Sequence, residues 1–274
     1  MTFAALLHVC TVEIGEAQFR SVLAVARTLR AHLSIVVVGT AALPPVGAHM
    51  ESVSAPWMEE RRKQQAGIEN KVSQLEKRLR EGGVPHDVQN AYTEVFTIDN
   101  EIGYLARLSD IVLIGPDLLS DQEMLGAVLD GSWFHAEVPV LLDPGASLKL
   151  EKPVVMIAWS DTAESASAVR ASIPFLNLAK SVHVVLVDQD GDPNDPAPKL
   201  MAYLFRHGIA DISIDVLASD GRTVSETLEG HAKSINADLV VMGAYGHTRL
   251  RERLFGGVTR STVKRPGRPI FMAR

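Results

Sequence analysis

The sequence predicts an α/β protein in which one doubly wound domain is built twice in tandem. Three observations carry this reading. Short runs of Val, Ile, Leu and Met alternate with longer amphipathic stretches along all 274 residues. Most of these runs lack polar alternation, as strands do when a parallel sheet covers them on both faces. The order of runs in residues 1–146 also recurs in residues 150–274, so the chain reads as a duplication rather than one large fold. Strands and helices that alternate in this way form an open sheet with helices on both faces.

In the first half, strand candidates are residues 4–12, 33–38, 86–91, 110–114 and 138–142. Helix candidates between them are 16–31, 58–81, 99–108 and 123–135. The 58–81 stretch is rich in Glu, Lys, Arg and Gln, which fits a solvated amphipathic helix, or otherwise part of a partner surface. Residues 143–152, with Pro144 and Gly145, form the linker. The second half offers strands at 153–159, 182–188, 212–217, 238–242 and 269–272. Its helices are 163–178, 196–207, 224–235 and a short one after Gly257. The halves agree in detail near their ends. Asp110-Ile-Val-Leu-Ile-Gly115 parallels Asp238-Leu-Val-Val-Met-Gly243, and Val138-Pro139-Val140 parallels Arg268-Pro269-Ile270.

Composition narrows the function classes. With 46% apolar and 22% charged residues the chain can bury substantial cores and is neither disordered nor fibrous. The formal charge is −6, and the one short basic cluster runs from Arg249 to Arg253, which argues against nucleic acid as the main partner. Cys10 is the single cysteine, so an intrachain disulfide and a cysteine-based zinc site are excluded. The N-terminus lacks the positively charged start of a signal peptide, and no apolar run approaches the roughly 20 residues that span a bilayer. The expectation is a soluble cytoplasmic protein without membrane contact.

The segment with chemical content follows the 238–242 strand. It reads Gly243-Ala-Tyr-Gly246, then nine residues, then Gly256-Gly257-Val258-Thr259. Ligands of doubly wound folds bind outside the carboxyl ends of the strands, where the chain order switches side. Glycines let the backbone approach a ligand closely, and the free N–H groups of a following helix favour negative charge. Thr259 adds a hydroxyl donor. The pattern suits a polyphosphate. Arg249, Arg251 and Arg253 are either counter-charge for phosphate or a partner, or a solvated mixed-charge loop with Glu252. His247 divides the same way between a phosphate contact and surface packing.

This series, with Ala237-Asp238-Leu-Val-Val-Met-Gly243 before it and Pro269-Ile270-Phe271 after it, resembles the nucleotide loop of the universal stress protein family. The resemblance covers the chain as a tandem of two such domains, strong in the second copy and degraded in the first. It implies a five-stranded parallel sheet of order 3-2-1-4-5 in each domain. It also implies an adenine nucleotide in the second copy, as ATP, ADP or AMP, with or without Mg. Carried over by position, Ala158, Trp159 and Ser160 lie beside adenine and ribose. Leu186 offers backbone groups to the ring, and Met242 and Gly243 pack beside the ribose. Gly246, Gly256, Gly257, Val258 and Thr259 surround the phosphates. Ser160 stands where the family often has Asp, and Gly257 where many members have Ser or Thr. For Trp159, packing alone is the alternative to an adenine contact. The resemblance further implies pairing through last strands, here 138–142 with 269–272 as an internal pseudo-dimer, with a homodimer as a further step.

In the first copy the matching loop is Gly115-Pro-Asp-Leu-Leu-Ser-Asp-Gln-Glu-Met-Leu-Gly126, two residues shorter, with Leu118 near the place of the second glycine. Asp117, Asp121 and Glu123 would repel a polyphosphate, so no nucleotide is expected there. His8, His32, His49, His86 and His135 form no motif, and separate structural roles outweigh a zinc site assembled in space. His183, inside an apolar strand, reads as a satisfied core residue. Three functions follow. The first is a nucleotide-binding stress-response or regulatory protein. The second is a slow ATPase or nucleotidyl-transfer enzyme, and the third a nucleotide-free interaction protein. The enzyme lacks support, because there is no Walker loop and no carboxylate pair beside the glycine series. Asp161 and Glu252 are the nearest acidic residues, and no catalytic residue is assigned.

Overall fold

The computed structural model describes residues 3–41, 43, 55–145, 148–188, 197–244 and 267–274. The chain divides into two compact units, Ala4–Val138 and Pro139–Arg274, and Phe3 groups with the second. Both are α/β, with largely parallel sheets flanked by helices. No described helix is long and apolar enough to cross a membrane.

The first unit runs β1 (Ala5–Cys10), α1 (Glu16–Leu29), β2 (His32–Thr40), α2 (Ala55–Gly82), β3 (His86–Thr93), α3 (Ile98–Ala106), β4 (Ile111–Ile114), α4 (Pro116–Leu119) and α5 (Gln122–Asp130). Its strands lie in the order β3-β2-β1-β4, all parallel, with Leu6 of β1 level with Leu33 and Ile111. β1 is buried almost throughout, as a central strand with helices on both faces must be. Helix α2 buries only Ile68, Leu75, Leu79 and Gly82, so its charged face is solvated, as its composition leads one to expect.

The second unit contains β5 (Val140–Leu142), β6 (Val154–Ala158), α6 (Ala163–Leu176), β7 (Ser181–Val187), α7 (Pro198–Arg206), β8 (Ile212–Leu217), α8 (Val224–Ser234), β9 (Leu239–Gly243) and β10 (Ile270–Ala273). The order is β5-β10-β9-β6-β7-β8. Neighbouring strands in this order run parallel except β5 with β10, where Leu142 faces Ile270 and Val140 faces Met272. This is the last-strand pairing implied by the resemblance, and it groups the first repeat's final strand with the second unit.

Both units fasten their first strand in the same way. Asp110 Oδ2 accepts the N–H groups of Ala4 and Ala5 at 2.6 and 2.9 Å, and Asp238 Oδ2 accepts that of Val154 at 3.0 Å. The repeated Asp before the fourth strand is therefore a latch between neighbouring strand starts. Helix starts follow their local chemistry. Thr162 caps α6 by accepting the Ser165 N–H, and Thr223 and Glu226 form a reciprocal capping box on α8.

Two local features depart from the expected elements. The stretch expected as one helix over 123–135 is α5, capped by Asp121, followed by a π-helical turn at Gly131–His135. The turn forms where Gly103 and Gly131 meet. A Cβ on Gly131 would collide with the Asp99 carbonyl, and one on Gly103 with His135. The backbones touch there, and the ladder widens by one residue to permit it. The short α4 is the second departure. Its Leu118 is fully buried, so the two-residue-shorter loop winds into a turn driven by one apolar anchor.

Candidate functional site

In the second unit β6 lies between β9 and β7, and the chain order switches side there. Ala158 is level with Val185 on β7 and with Met242 on β9. Trp159 extends the ladder by donating its N–H to the Val185 carbonyl at 2.9 Å. Ser160 follows, half-buried, with its Oγ 2.9 Å from Ser165 Oγ and 3.5 Å from Thr162 Oγ1. Leu186 and Met242 are buried on the flanking strands.

Gly243 ends β9 against the first turn of α6. A Cβ there would stand 2.7 Å from Ser165 N and 2.8 Å from the Glu164 carbonyl carbon. Those are backbone atoms that cannot swing aside, so only glycine lets the strand end reach the helix start. Ala158, Trp159, Ser160, Met242 and Gly243 are thus brought together at the switch point, with Leu186 one strand away. Gly246, Gly256, Gly257, Val258 and Thr259 lie outside the described residues. So do His49, His247, Arg249, Arg251, Glu252, Arg253 and the short helix expected after Gly257.

Sequence reasoning missed three groups here. Thr162 and Ser165 surround Ser160 with hydroxyls, and the Thr-x-x-Ser spacing at a helix start was the available signal. Asp188, just past β7, adopts φ 47° and accepts the Ser219 N–H at 2.9 Å. Hydrogen bonds from the Ser219 hydroxyl and backbone hold its carboxyl below the usual carboxylate range, so a fixed negative charge sits at this strand end.

The first unit shows what became of the equivalent place. Val9 pairs with Ile114 as Ala158 pairs with Met242, so Thr11 stands where Ser160 does. Gln18 and Ser165 are each the third residue of their helices. A Cβ on Gly115 would collide with the Gln18 amide, just as one on Gly243 would meet Ser165. Here a side chain closes the mouth. Asp117 Oδ2 accepts the Thr11 N–H at 2.7 Å and its hydroxyl at 3.3 Å, while Oδ1 accepts Gln18 Nε2 at 2.7 Å. Asp117 is therefore a bonded plug as well as a negative charge.

Behind it, Gln18 Nε2 lies 3.2 Å from His8 Nε2, and His8 Nδ1 lies 2.9 Å from the Leu113 carbonyl. A carbonyl only accepts, so Nδ1 carries the hydrogen and Nε2 accepts from Gln18, which makes His8 neutral. Burial pushes its pKa down, against the opposing pull of Asp117. The neighbouring Cys10 is buried too, and burial pushes its thiol well up, which removes it as a nucleophile at neutral pH.

His8 makes the first unit sensitive to pH in a direction that follows from its shift. The unfolded chain takes up a proton near the free imidazole value of about 6.5, and the folded one only at lower pH. The stabilisation is fully present above about 6.5 and is lost as pH falls below it, with a slope of up to about 1.4 kcal/mol per pH unit. Urea midpoints measured from pH 7.5 to 5 should fall more steeply for the natural protein than for His8→Gln. Equal slopes would remove His8 from the account.

Five other described histidines have partners of their own. His32 lies 3.5 Å from Asp87, His135 lies 3.3 Å from Asp99, and His86 bonds the Val84 carbonyl. His183 is half-buried, with Nδ1 2.8 Å from Ser213 Oγ and 3.4 Å from Asp215, which also meets His231 at 3.0 Å. Among the described residues no group of three or more His, Cys, Asp and Glu is suited to hold a metal ion.

Solved structures share this architecture over the whole chain. A universal stress protein from Archaeoglobus fulgidus DSM 4304 superposes with a TM-score of 0.70 at 16% identity, covering 100% of this chain and 97% of that one. A functionally unknown protein from Pseudomonas aeruginosa PAO1 gives 0.59 at 14%, covering 98% and 92%. A Pseudomonas aeruginosa UCBPP-PA14 protein provisionally assigned to the universal stress proteins gives 0.61 at 14%, covering 99% and 93%. At these identities the likeness establishes the fold. No curated protein matches the sequence. The universal stress protein family model matches residues 155–274, the stretch that holds β6, Gly243 and the glycine series, so the second unit carries the match to the universal stress protein family.

Proposed function

We propose that the second unit binds an adenine nucleotide, ATP foremost, at the carboxyl ends of β6 and β9, and that the protein acts through it in stress response or regulation. The observation that carries this reading is Gly243. Its missing Cβ lets β9 close on the first turn of α6, so that Ala158, Trp159 and Ser160 stand beside Met242 at the switch point, where doubly wound folds take their ligands. Adenine and ribose fit beside Ala158–Ser160 and Leu186. The phosphates fall to Gly246, Gly256, Gly257, Val258 and Thr259, whose backbone N–H groups are the natural grip for a polyanion, with or without Mg. The Ser160 hydroxyl offers the ribose a hydrogen bond in place of the family's more frequent carboxylate.

Binding is the activity this reading favours over turnover, because the sequence holds no Walker loop and no carboxylate pair beside the glycine series. The reading extends to a cytoplasmic protein with one nucleotide per chain, β5 and β10 pairing internally, and a homodimer as a further assembly step. Calorimetric titration of the full-length protein with ATP is expected to saturate at one site per chain. Gly246→Val should weaken binding by on the order of tenfold or more, since a branched side chain blocks close backbone approach to phosphate. No heat of binding at millimolar ATP, in a protein that is folded by circular dichroism, would overturn the nucleotide reading.

A further inference from the structure

We propose that Asp117 is an internal ligand of the first unit. Its carboxylate fills a small oxyanion cleft built by Thr11 and Gln18, and a free carboxylate of formate size takes its place when the side chain is cut back. This concerns the first unit alone and is independent of the nucleotide reading of the second.

The cleft is made by parts of the fold that do not carry Asp117. The Thr11 N–H and hydroxyl come from the end of β1 and the amide of Gln18 from the third position of α1, while Asp117 is borne by α4. Three donors converge on the two oxygens of one carboxylate, at 2.7, 3.3 and 2.7 Å. Gln18 is 7% exposed and cannot turn away, because its second N–H is given to His8 and His8 is held by the Leu113 carbonyl. Donors fixed in this manner are pre-organised, and an acceptor that meets them costs little further ordering.

Alanine at position 117 keeps the Cβ and removes one carboxylate group, which is the volume and charge of formate. The three donors would then face a vacancy of that shape. Acetate carries an additional methyl and fits less well. Asparagine keeps the volume but sets an NH₂ group against a donor, so it leaves misdirected hydrogen bonds and no room for an added ion.

The test is thermal unfolding of the full-length chain in sodium formate, sodium acetate and sodium chloride at equal ionic strength. D117A in chloride is expected to unfold roughly 3–8 °C below the natural protein, as the loss of charge-assisted bonds requires. Formate should restore half of that shift or more, acetate less, and neither should move the natural protein or D117N. If D117A does not fold in chloride, recovery of its circular dichroism on refolding in formate is the equivalent support. The proposal is overturned by a D117A midpoint equal to the natural one, by formate raising all three proteins alike, or by a D117A protein that fails to fold in every salt.

Discussion

Phe271→Ala is expected to destabilise the second unit by about 3–5 kcal/mol, the usual range for emptying a buried phenylalanine site. Phe271 is fully buried on β10, level with Leu141 of β5 and Val241 of β9, so it stands where the antiparallel and parallel ladders meet. Its ring packs edge-on against Phe175 of α6, with centroids 5.8 Å apart and planes at 74°. Phe3 completes the cluster at 5.0 Å from Phe175 and 6.3 Å from Phe271. Truncation removes two aromatic contacts and leaves a cavity that a strand fixed on both sides cannot close by moving. Urea denaturation should show a lower midpoint with an unchanged slope. Phe205→Ala is the control, because that side chain is 54% exposed and its loss should change stability by less than about 0.5 kcal/mol. Comparable effects at the two positions would mean that burial at the β5–β10 junction does not govern this unit.

The fold was legible because its central strands are buried on both faces. Runs such as Ile111–Ile114 are apolar at every position, and an alternating pattern would have pointed to a half-solvated sheet instead. Asp110 and Asp238 recur at matching places in the sequence, and the structure supplies the reason, since each latches the start of a strand. What stayed hidden depends on distance in space. Nothing in the letters says that Gly103 and Gly131 touch, so the π turn could not be foreseen.

The first unit's closed mouth was half legible. The acidic character of its loop stands in the sequence, and repulsion of phosphate follows from charge alone. That Asp117 reaches back to Thr11 and Gln18, each about a hundred residues earlier, does not. A carboxylate with three donors is a satisfied acceptor, whereas a carboxylate without them would be a source of repulsion, and composition does not distinguish the two. The same limit holds for His8. An isolated histidine in an apolar strand is unremarkable as text, but it becomes the back wall of a hydrogen-bonded chain once β1, α1 and β4 are placed.

Gly243→Ala should uncouple the close approach at the candidate site, and it separates two reasons for a glycine. Gly243 is not among the residues with positive φ, so conformational freedom does not explain it. Space does, because the added methyl would meet Ser165 N at 2.7 Å and the Glu164 carbonyl carbon at 2.8 Å. Either β9 or the first turn of α6 must retreat. The N-cap bond from Ser165 to Thr162 and the Ser160–Ser165 contact lie on that turn. Overpacking of this kind costs about 1–3 kcal/mol. Under the nucleotide reading ATP affinity should fall on the order of tenfold, because β9 and α6 no longer hold their spacing. Gly230→Ala provides the contrast. Gly230 lies inside α8 with nothing within 4 Å of an added Cβ, so alanine there should stabilise by about 0.5–1 kcal/mol through helix propensity. Opposite signs at these two glycines, read by urea denaturation, would locate the constraint at the meeting of β9 with α6. A neutral Gly243→Ala that binds ATP like the natural protein would show that the strand end has room to spare, and the candidate site would lose its structural basis.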